Sequence, residues 1–230
     1  MGTNVRQNIV TNGLVMYLDA GSRISYTSGS TTWTDLSGNG RNATLNNSPT
    51  FNNTNQGFIT FNGTNQFGTG SAITGLGTSD RTINIWTKVD TLKSTSARIF
   101  FLATDEASTD TPAFGLTFYT TTPTAQVEAG GAPYDGAIIL SMVTGSWFNI
   151  CTTISSTKTI TAYQNGLLVS SKTFTGTCGT NPIPEIARYN NNFGQYGNPN
   201  IGIIQIYNRV LSAQEVAQNY NATKTRFGLT

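Results

Sequence analysis

The chain has 230 residues, of which only 10% are charged and 10% aromatic, with 24 glycines and a formal net charge of +2. So few charges do not furnish the polar helix faces of a bundle, and without a Lys/Arg cluster nothing points to nucleic acid. No apolar run reaches the ~18 residues that span a bilayer, and residues 1–10 carry neither the basic nor the apolar region of a secretory leader.

Residues 1–12 read as an N-terminal arm, and from Gly13 to Thr230 no composition break or repeat divides the chain. Gly13 to Asp19 is a short apolar strand stopped by Ala20-Gly21-Ser22, and Trp33 to Gly40 has the Gly/Asn/Asp chemistry of a structured loop. Phe58 to Phe61 leads into an Asn62-Gly63 turn, and Thr82 to Val89 alternates with period two, as a strand with unlike faces should. Arg98 to Ala103 is a continuous apolar run for a strand buried on both sides, while Phe114, Leu116 and Phe118 alternate with smaller residues. Trp147 to Ile154, Thr159 to Tyr163 and Leu167 to Val169 form a three-stranded meander. Its second turn, Asn165-Gly166, suits type I′ because both residues tolerate positive φ.

No helix-length crossover interrupts these strands, which excludes a parallel α/β sheet. Residues 177–200 read as a long loop around one short strand near Glu185 to Tyr189, followed by a last strand, Ile201 to Tyr207. A helix over residues 212–222 then closes the chain. Ser212 and Glu215 have capping-box spacing, and Val216 and Tyr220 share the face that docks. Two cysteines, Cys151 and Cys178, with no histidine in the chain, cannot complete a tetrahedral zinc site. Spacing alone leaves open whether they pair.

Four segments carry a family resemblance: Gly13 to Gly21, Trp33 to Leu45 with its Asp-x-Ser-Gly-Asn loop, Trp147 to Gly166 with its Tyr-x-Asn-Gly hairpin, and Ile206 to Val216. In these the chain resembles the laminin-G-like jelly-roll domains of the concanavalin A-like lectin/glucanase superfamily. The resemblance implies a two-sheet antiparallel jelly-roll sandwich, an all-β fold with one short C-terminal α-helix. The Tyr17 to Gly21 opening and the Asn219 to Leu229 ending are similar to versions found in structural proteins of tailed phages and other viruses. That narrower likeness implies a virion-surface protein assembled in the host cytoplasm, with an extracellular location as the alternative.

Without histidine neither a Ser-His-Asp triad nor a Cys-His pair can form. Retaining glycanases of this fold need two carboxylates roughly 5–5.5 Å apart, and the Glu-x-Asp-x-Glu run of related glucanases is missing from the 11 acidic residues. Asp105 and Glu106 are adjacent and would face opposite ways in a strand. Asp80, Asp90, Asp110, Glu128, Asp135 and Glu185 read as isolated, solvated loop carboxylates. The chain is therefore expected not to be an enzyme. Asp19, Asp35 and Asn39 lie in segments that resemble the family's calcium-associated loops. The last strand, however, has Gly202 and Ile203 where calcium-binding relatives carry an acidic pair, so turn capping is favoured over Ca2+ and no cofactor is required.

Sugar binding on loops calls for an aromatic platform with Asn, Asp or Gln beside it. Tyr189, Asn190, Asn191, Asn192, Phe193, Gln195 and Tyr196 offer that mixture, and Tyr134 with Asp135 is a second place for it. The same residue types suit a contact with a neighbouring subunit, whereas Trp33, Trp86 and Trp147 read as core. The expected partners are other virion subunits, cell-surface glycans, or both, in a homo-oligomer or symmetric array, with no nucleic acid and no membrane insertion. The leading expectation is a non-enzymatic virion surface protein, a capsid decoration, head fibre or tail appendage. Its alternative is a free carbohydrate-binding or adhesion module of a cell-surface or secreted protein, with a glycan hydrolase third.

Overall fold

The computed structural model describes residues 8–93, 97–103, 114–118, 123–130, 135–189 and 195–230. Among them two antiparallel sheets of eight strands each make a sandwich. Sheet A runs β14 (Leu167–Thr173), β13 (Thr159–Gln164), β12 (Phe148–Ile154), β7 (Arg81–Lys88), β16 (Asn200–Tyr207), β5 (Phe58–Thr60) and β4 (Thr50–Asn52). β1 (Leu14–Asp19) also lies along β16, which is long enough to pair with both β5 and β1 on one side. Sheet B runs β11 (Ile138–Ser141), β10 (Thr124–Glu128), β9 (Phe114–Phe118), β8 (Ala97–Ala103), β15 (Ile183–Ile186), β6 (Phe67–Thr69), β3 (Ala43–Asn46) and β2 (Thr32–Trp33). The jelly-roll expectation holds.

Period-two alternation builds the core. Ile83, Ile85, Ile150, Ile204 and Ile206 point inward from sheet A and meet Phe100, Leu102, Phe114, Leu116 and Leu140 of sheet B. The meander forms as β12, β13 and β14, and Asn165 and Gly166 have φ of 51° and 77°, as a type I′ turn requires. Residues 177–200 hold a shorter strand than expected, because β15 ends at Ile186 and Ala187 turns left-handed with φ of 59°.

The outer face of sheet A is buried too. Alternation sends Asn84, Asn149 and Gln205 outward, and there they form a row. Asn149 donates to Asn84 at 2.9 Å, and Asn84 donates to Gln205 at 2.7 Å. The C-terminal helix α1 (Ala213–Thr223) covers this face, packing Val216 against Cys151, Tyr163 and Tyr207. The N-terminal arm is tied down from Asn8 onward: its carbonyl accepts from Gln218, and the Val10 amide donates to buried Asn219.

A 3-10 turn, Lys224–Phe227, extends the cover. Phe227 stacks on Trp86 with ring centroids 4.2 Å apart and lies 4.7 Å from Trp147. All three tryptophans are thus buried as expected, but Trp86 and Trp147 pack under this C-terminal lid and not between the sheets. The lid also explains Gly202, since a Cβ there would sit 2.6 Å from the Phe227 ring. Cys151 is buried beneath α1 and Cys178 lies 3.3 Å from the Arg81 guanidinium, so both thiols are free.

The capping box forms as expected: Ser212 accepts from the Glu215 amide, and Glu215 accepts from the Ser212 amide and from Arg209. Arg209's hydrogen bonds, then the Ser212 amide, hold the Glu215 carboxyl down at about 2. A carboxyl depressed in the folded state adds stability above its unfolded pKa, and this is lost as pH falls through the folded value. Glu215→Gln is therefore expected to flatten the decline in unfolding midpoint between about pH 4.5 and pH 2, measured by thermal denaturation across that range.

Candidate functional site

Sheet B has no helix over its outer face among the described residues. Register puts Thr44, Thr69 and Glu185 in one row across β3, β6 and β15, with Asn46 and Phe67 paired in the adjacent row. Thr44, Thr69, Asn46 and Phe67, with Asn42, Gly70, Ser71 and Arg188, line a depression of about 400 Å3. Its Arg188 is held from beneath by an ion pair. Arg188 holds Glu185 through two nitrogens, Nε to Oε2 at 2.9 Å and Nη2 to Oε1 at 2.8 Å, and Thr69 donates to Oε2 at 3.2 Å. Both charged side chains are 6% exposed. Burial pushes the Glu185 carboxyl up, against the opposing pull of Arg188 and the Thr69 hydroxyl.

Residues three apart in a strand point to opposite faces. The left-handed Ala187 cancels that rule, bringing Arg188 back to the Glu185 side. The Arg188 guanidinium then lies 3.6 Å from the centre of the half-exposed Phe67 ring. A paired cation over an aromatic ring attracts its face and favours that orientation. The result is a polar cleft with one aromatic wall.

Tyr189, Gln195 and Tyr196 border this cleft. Arg188 and Tyr196 form an antiparallel bridge, and the Tyr189 amide donates to the Gln195 carbonyl at 3.0 Å. Tyr196 stands 6.1 Å from Phe67 and extends the aromatic wall. Tyr189 is buried instead of presenting an open platform. The Arg98 guanidinium lies 4.9 Å above its ring while Arg98 donates to the exposed Gln195. Asn190, Asn191, Asn192 and Phe193 lie outside the described residues, as do Tyr134, Asp105, Glu106 and Asp110. Asp135 is separate from the cleft, where its carboxylate caps Thr175 by accepting from the amide and hydroxyl.

Glu185 corrects the expectation of a solvated loop carboxylate: it is a buried strand residue in an ion pair. Asp80 and Asp90 are also engaged, by Ser156 and by Lys88 with Asn200 respectively. Phe67, Arg188, Thr69 and Asn46 belong to the cleft and were not legible as site residues, though the polar alternation from Asn42, just before β3, through Thr44 to Asn46 was a usable signal.

The residues considered for calcium serve the backbone. Asp35 Oδ1 accepts from the amides of Tyr17 and Ser37, and Oδ2 accepts from the Ser37 hydroxyl and the Arg41 amide. Although burial works the other way, these bonds lower the Asp35 pKa. Asp19 pairs with Arg226 at 2.5 Å and accepts from the Gly21 amide, while Asn39 donates to Leu14 and Ser37. A guanidinium on one carboxylate and four donors on the other do not fit a calcium cage. Among the described residues no group of three or more Cys, Asp or Glu converges on a metal position.

Residues 53–217 match the family model of the concanavalin A-like lectin/glucanases superfamily. No curated protein matches by sequence. Among solved structures, a sialidase of Trypanosoma rangeli superposes with TM-score 0.72 at 17% identity, over 93% of this chain and 33% of that one. The receptor-binding domain of botulinum neurotoxin type G gives TM-score 0.68 at 15% identity, over 91% of this chain and 51% of that one. The serotype D binding domain gives 0.70 at 12% identity, over 92% and 52%. The chain thus spans about a third to a half of the structures it matches, and at these identities the likeness is one of fold.

Proposed function

The chain belongs to the concanavalin A-like lectin/glucanases superfamily, and from that premise we propose that it is a non-enzymatic display module which binds glycan in the cleft between β3, β6 and Arg188. The observation that carries this reading is the cleft itself. One aromatic lies against a buried Arg–Glu pair, and Asn, Thr and Ser side chains surround it on a sheet face that no helix among the described residues covers. A sugar ring presents hydroxyls and an apolar C–H face, and such a wall with a few fixed polar groups answers both. The volume of about 400 Å3 suits one or two sugar residues. The matched structures support a binding role: one sialidase structure is a complex with sialic acid, and the toxin domain is named for receptor binding.

The non-enzymatic part is supported by the state of Glu185. A carboxylate bound through two nitrogens of an arginine has no free oxygen aimed at a leaving group. Display on a virion, with other virion subunits as neighbours, rests on the opening and closing segments that are similar to phage structural proteins. Stoichiometric presence in purified particles supports that placement, and absence from them favours the free adhesion module.

Binding is tested on a glycan array with the wild type, Asn46→Ala and Tyr196→Ala, all of which keep the buried ion pair. Saturable binding weakened about tenfold by either substitution is expected, a loss of about one good hydrogen bond or ring contact. Unchanged affinity in both variants would move the site off this cleft.

A further inference from the structure

One row on the outer face of sheet A brings an amine, a carboxamide and a carboxylate together. Register sets Thr60, Asn200 and Lys88 side by side across β5, β16 and β7. Directly paired residues of antiparallel strands turn their side chains to the same face, with Cβ atoms about 4.5–5.5 Å apart. Asp90, just beyond the end of β7, reaches into this row with both of its oxygens. Its Oδ1 lies 2.8 Å from the Lys88 amine, and its Oδ2 accepts from the Asn200 carboxamide nitrogen at 2.8 Å. On the other side of that carboxamide, the Thr60 hydroxyl donates to Asn200 Oδ1 at 2.5 Å, and Asn52 donates to the hydroxyl in turn at 2.9 Å.

We infer that this row is a self-modification site, at which Lys88 and Asn200 join in an intramolecular amide bond between β7 and β16. Each group that a transamidation needs is in place. The Lys88 amine is the nucleophile and Asn200 Cγ the carbon attacked. Asp90 touches both nitrogens, so it can take a proton from the attacking amine and hand it to the departing one. The Thr60 hydroxyl already points at the oxygen on which negative charge develops as that carbon becomes tetrahedral. The Nζ–Cγ bond forms and the Cγ–Nδ2 bond breaks. The Lys88 ammonium and the Asn200 carboxamide thus become one secondary amide and one ammonium ion. The step is redox-neutral and takes no further reactant.

The surroundings suit a reaction that runs once per chain. Asn200 is 2% exposed, which keeps water, the competing nucleophile, away from its carbonyl carbon. The Lys88 amine lies 5.7 Å and 5.9 Å from the centres of the Phe58 and Trp147 rings, which wall it into the row. An ammonium beside a carboxylate is rarely without its proton, but holding both reactants in place raises their effective concentration. A single turnover tolerates the slow step. Asp90, with half of its side chain in solvent, leaves an exit for ammonia. The bond would tie together residues 112 apart in sequence and so constrain the unfolded chain, as a disulfide between distant residues does. It lies on sheet A and does not depend on the glycan reading of the sheet B cleft.

Intact-mass spectrometry of the purified chain reads the reaction directly. Wild type is expected about 17 Da below the mass that its sequence gives, the loss of one ammonia. A tryptic digest should join the segment holding Lys88 to the one holding Asn200. Lys88→Arg keeps a cation opposite Asp90 but supplies no amine, and it should return the full mass and a lower unfolding midpoint. Asp90→Asn, at a half-exposed position, should also return the full mass. Thr60→Val should slow bond formation about tenfold or more. Wild type that keeps its full mass through prolonged incubation overturns the proposal. So does an ammonia loss that persists in Lys88→Arg, the mark of ring closure at an Asn-Gly pair such as Asn62-Gly63.

Discussion

Phe227→Ala should destabilise the protein by about 3–5 kcal/mol, the usual cost of deleting a buried aromatic. At 230 residues a loss of 1 kcal/mol lowers the midpoint by roughly 2–4 °C, so a fall of about 6–20 °C is expected in calorimetry. The size comes from what the ring covers. Phe227 is 4% exposed, stacks on Trp86 and meets Trp147, and both indoles lie on the outer face of sheet A next to the Asn84–Gln205–Asn149 row. Removing the ring leaves a cavity beside a buried amide row in which Asn149 Oδ1 and Gln205 Nε2 already lack a partner, and the cost is that of the lost ring packing. Trp86 also donates its indole N–H to Thr223 at 2.8 Å, so the loss propagates into the end of α1. Gly202→Ala tests the same contact from the strand side, since its methyl would lie 2.6 Å from the Phe227 ring. A cost of about 1–3 kcal/mol is expected there, as for other overpacked sites. Red-shifted tryptophan emission should accompany both. A Phe227→Ala midpoint within about 2 °C of wild type would mean that the lid does not hold the face closed.

Local signals carried the fold. The period-two alternation of residues 82–89, the Asn165-Gly166 turn and the Ser212–Glu215 capping box each form what their chemistry dictates. The interior of the sandwich was equally legible, because Ile83 and Ile85 had to leave Thr82, Asn84 and Trp86 on the other side. Covering of that other side was not. Alternation shows that two faces differ, not whether a distant segment seals the polar one, and here the cover arrives from residue 213 onward. Gly202 shows the same limit: the missing acidic pair read as a lost ligand, and in the structure it is clearance for Phe227. The candidate site was less legible for a different reason. It was sought where aromatics and amides cluster in sequence, at Tyr189 to Tyr196, of which the described residues Tyr189, Gln195 and Tyr196 border the cleft. The centre is assembled from β3, β6 and β15, whose contacts span more than a hundred residues, such as Thr69 to Glu185. Glu185 and Arg188 were also hidden by their spacing, which in a regular strand sends them apart. Only the left-handed Ala187 reverses this, and alanine gives no warning of positive φ.

That buried pair carries the other large effect. Glu185→Ala and Arg188→Ala are each expected to cost about 3–5 kcal/mol, because either leaves an unpaired charge where both side chains are 6% exposed. The two losses should not add. Once one partner is gone the second substitution removes the stranded charge, so the double variant should lie within about 1–3 kcal/mol of either single one, a strong coupling in a double-mutant cycle. Glu185→Leu with Arg188→Met should recover still more stability, since a well-packed apolar pair often equals or exceeds a buried ionic one. Function separates from stability at this step. Without the guanidinium 3.6 Å from its centre, Phe67 is free to leave the orientation that walls the cleft. The apolar double variant should therefore be folded, near wild type in chemical denaturation, and still lose glycan binding about tenfold or more. Costs that add to within about 0.5 kcal/mol would deny the coupling. Full glycan binding in the stable double variant would instead show that the pair holds up the sheet and plays no part in presenting Phe67.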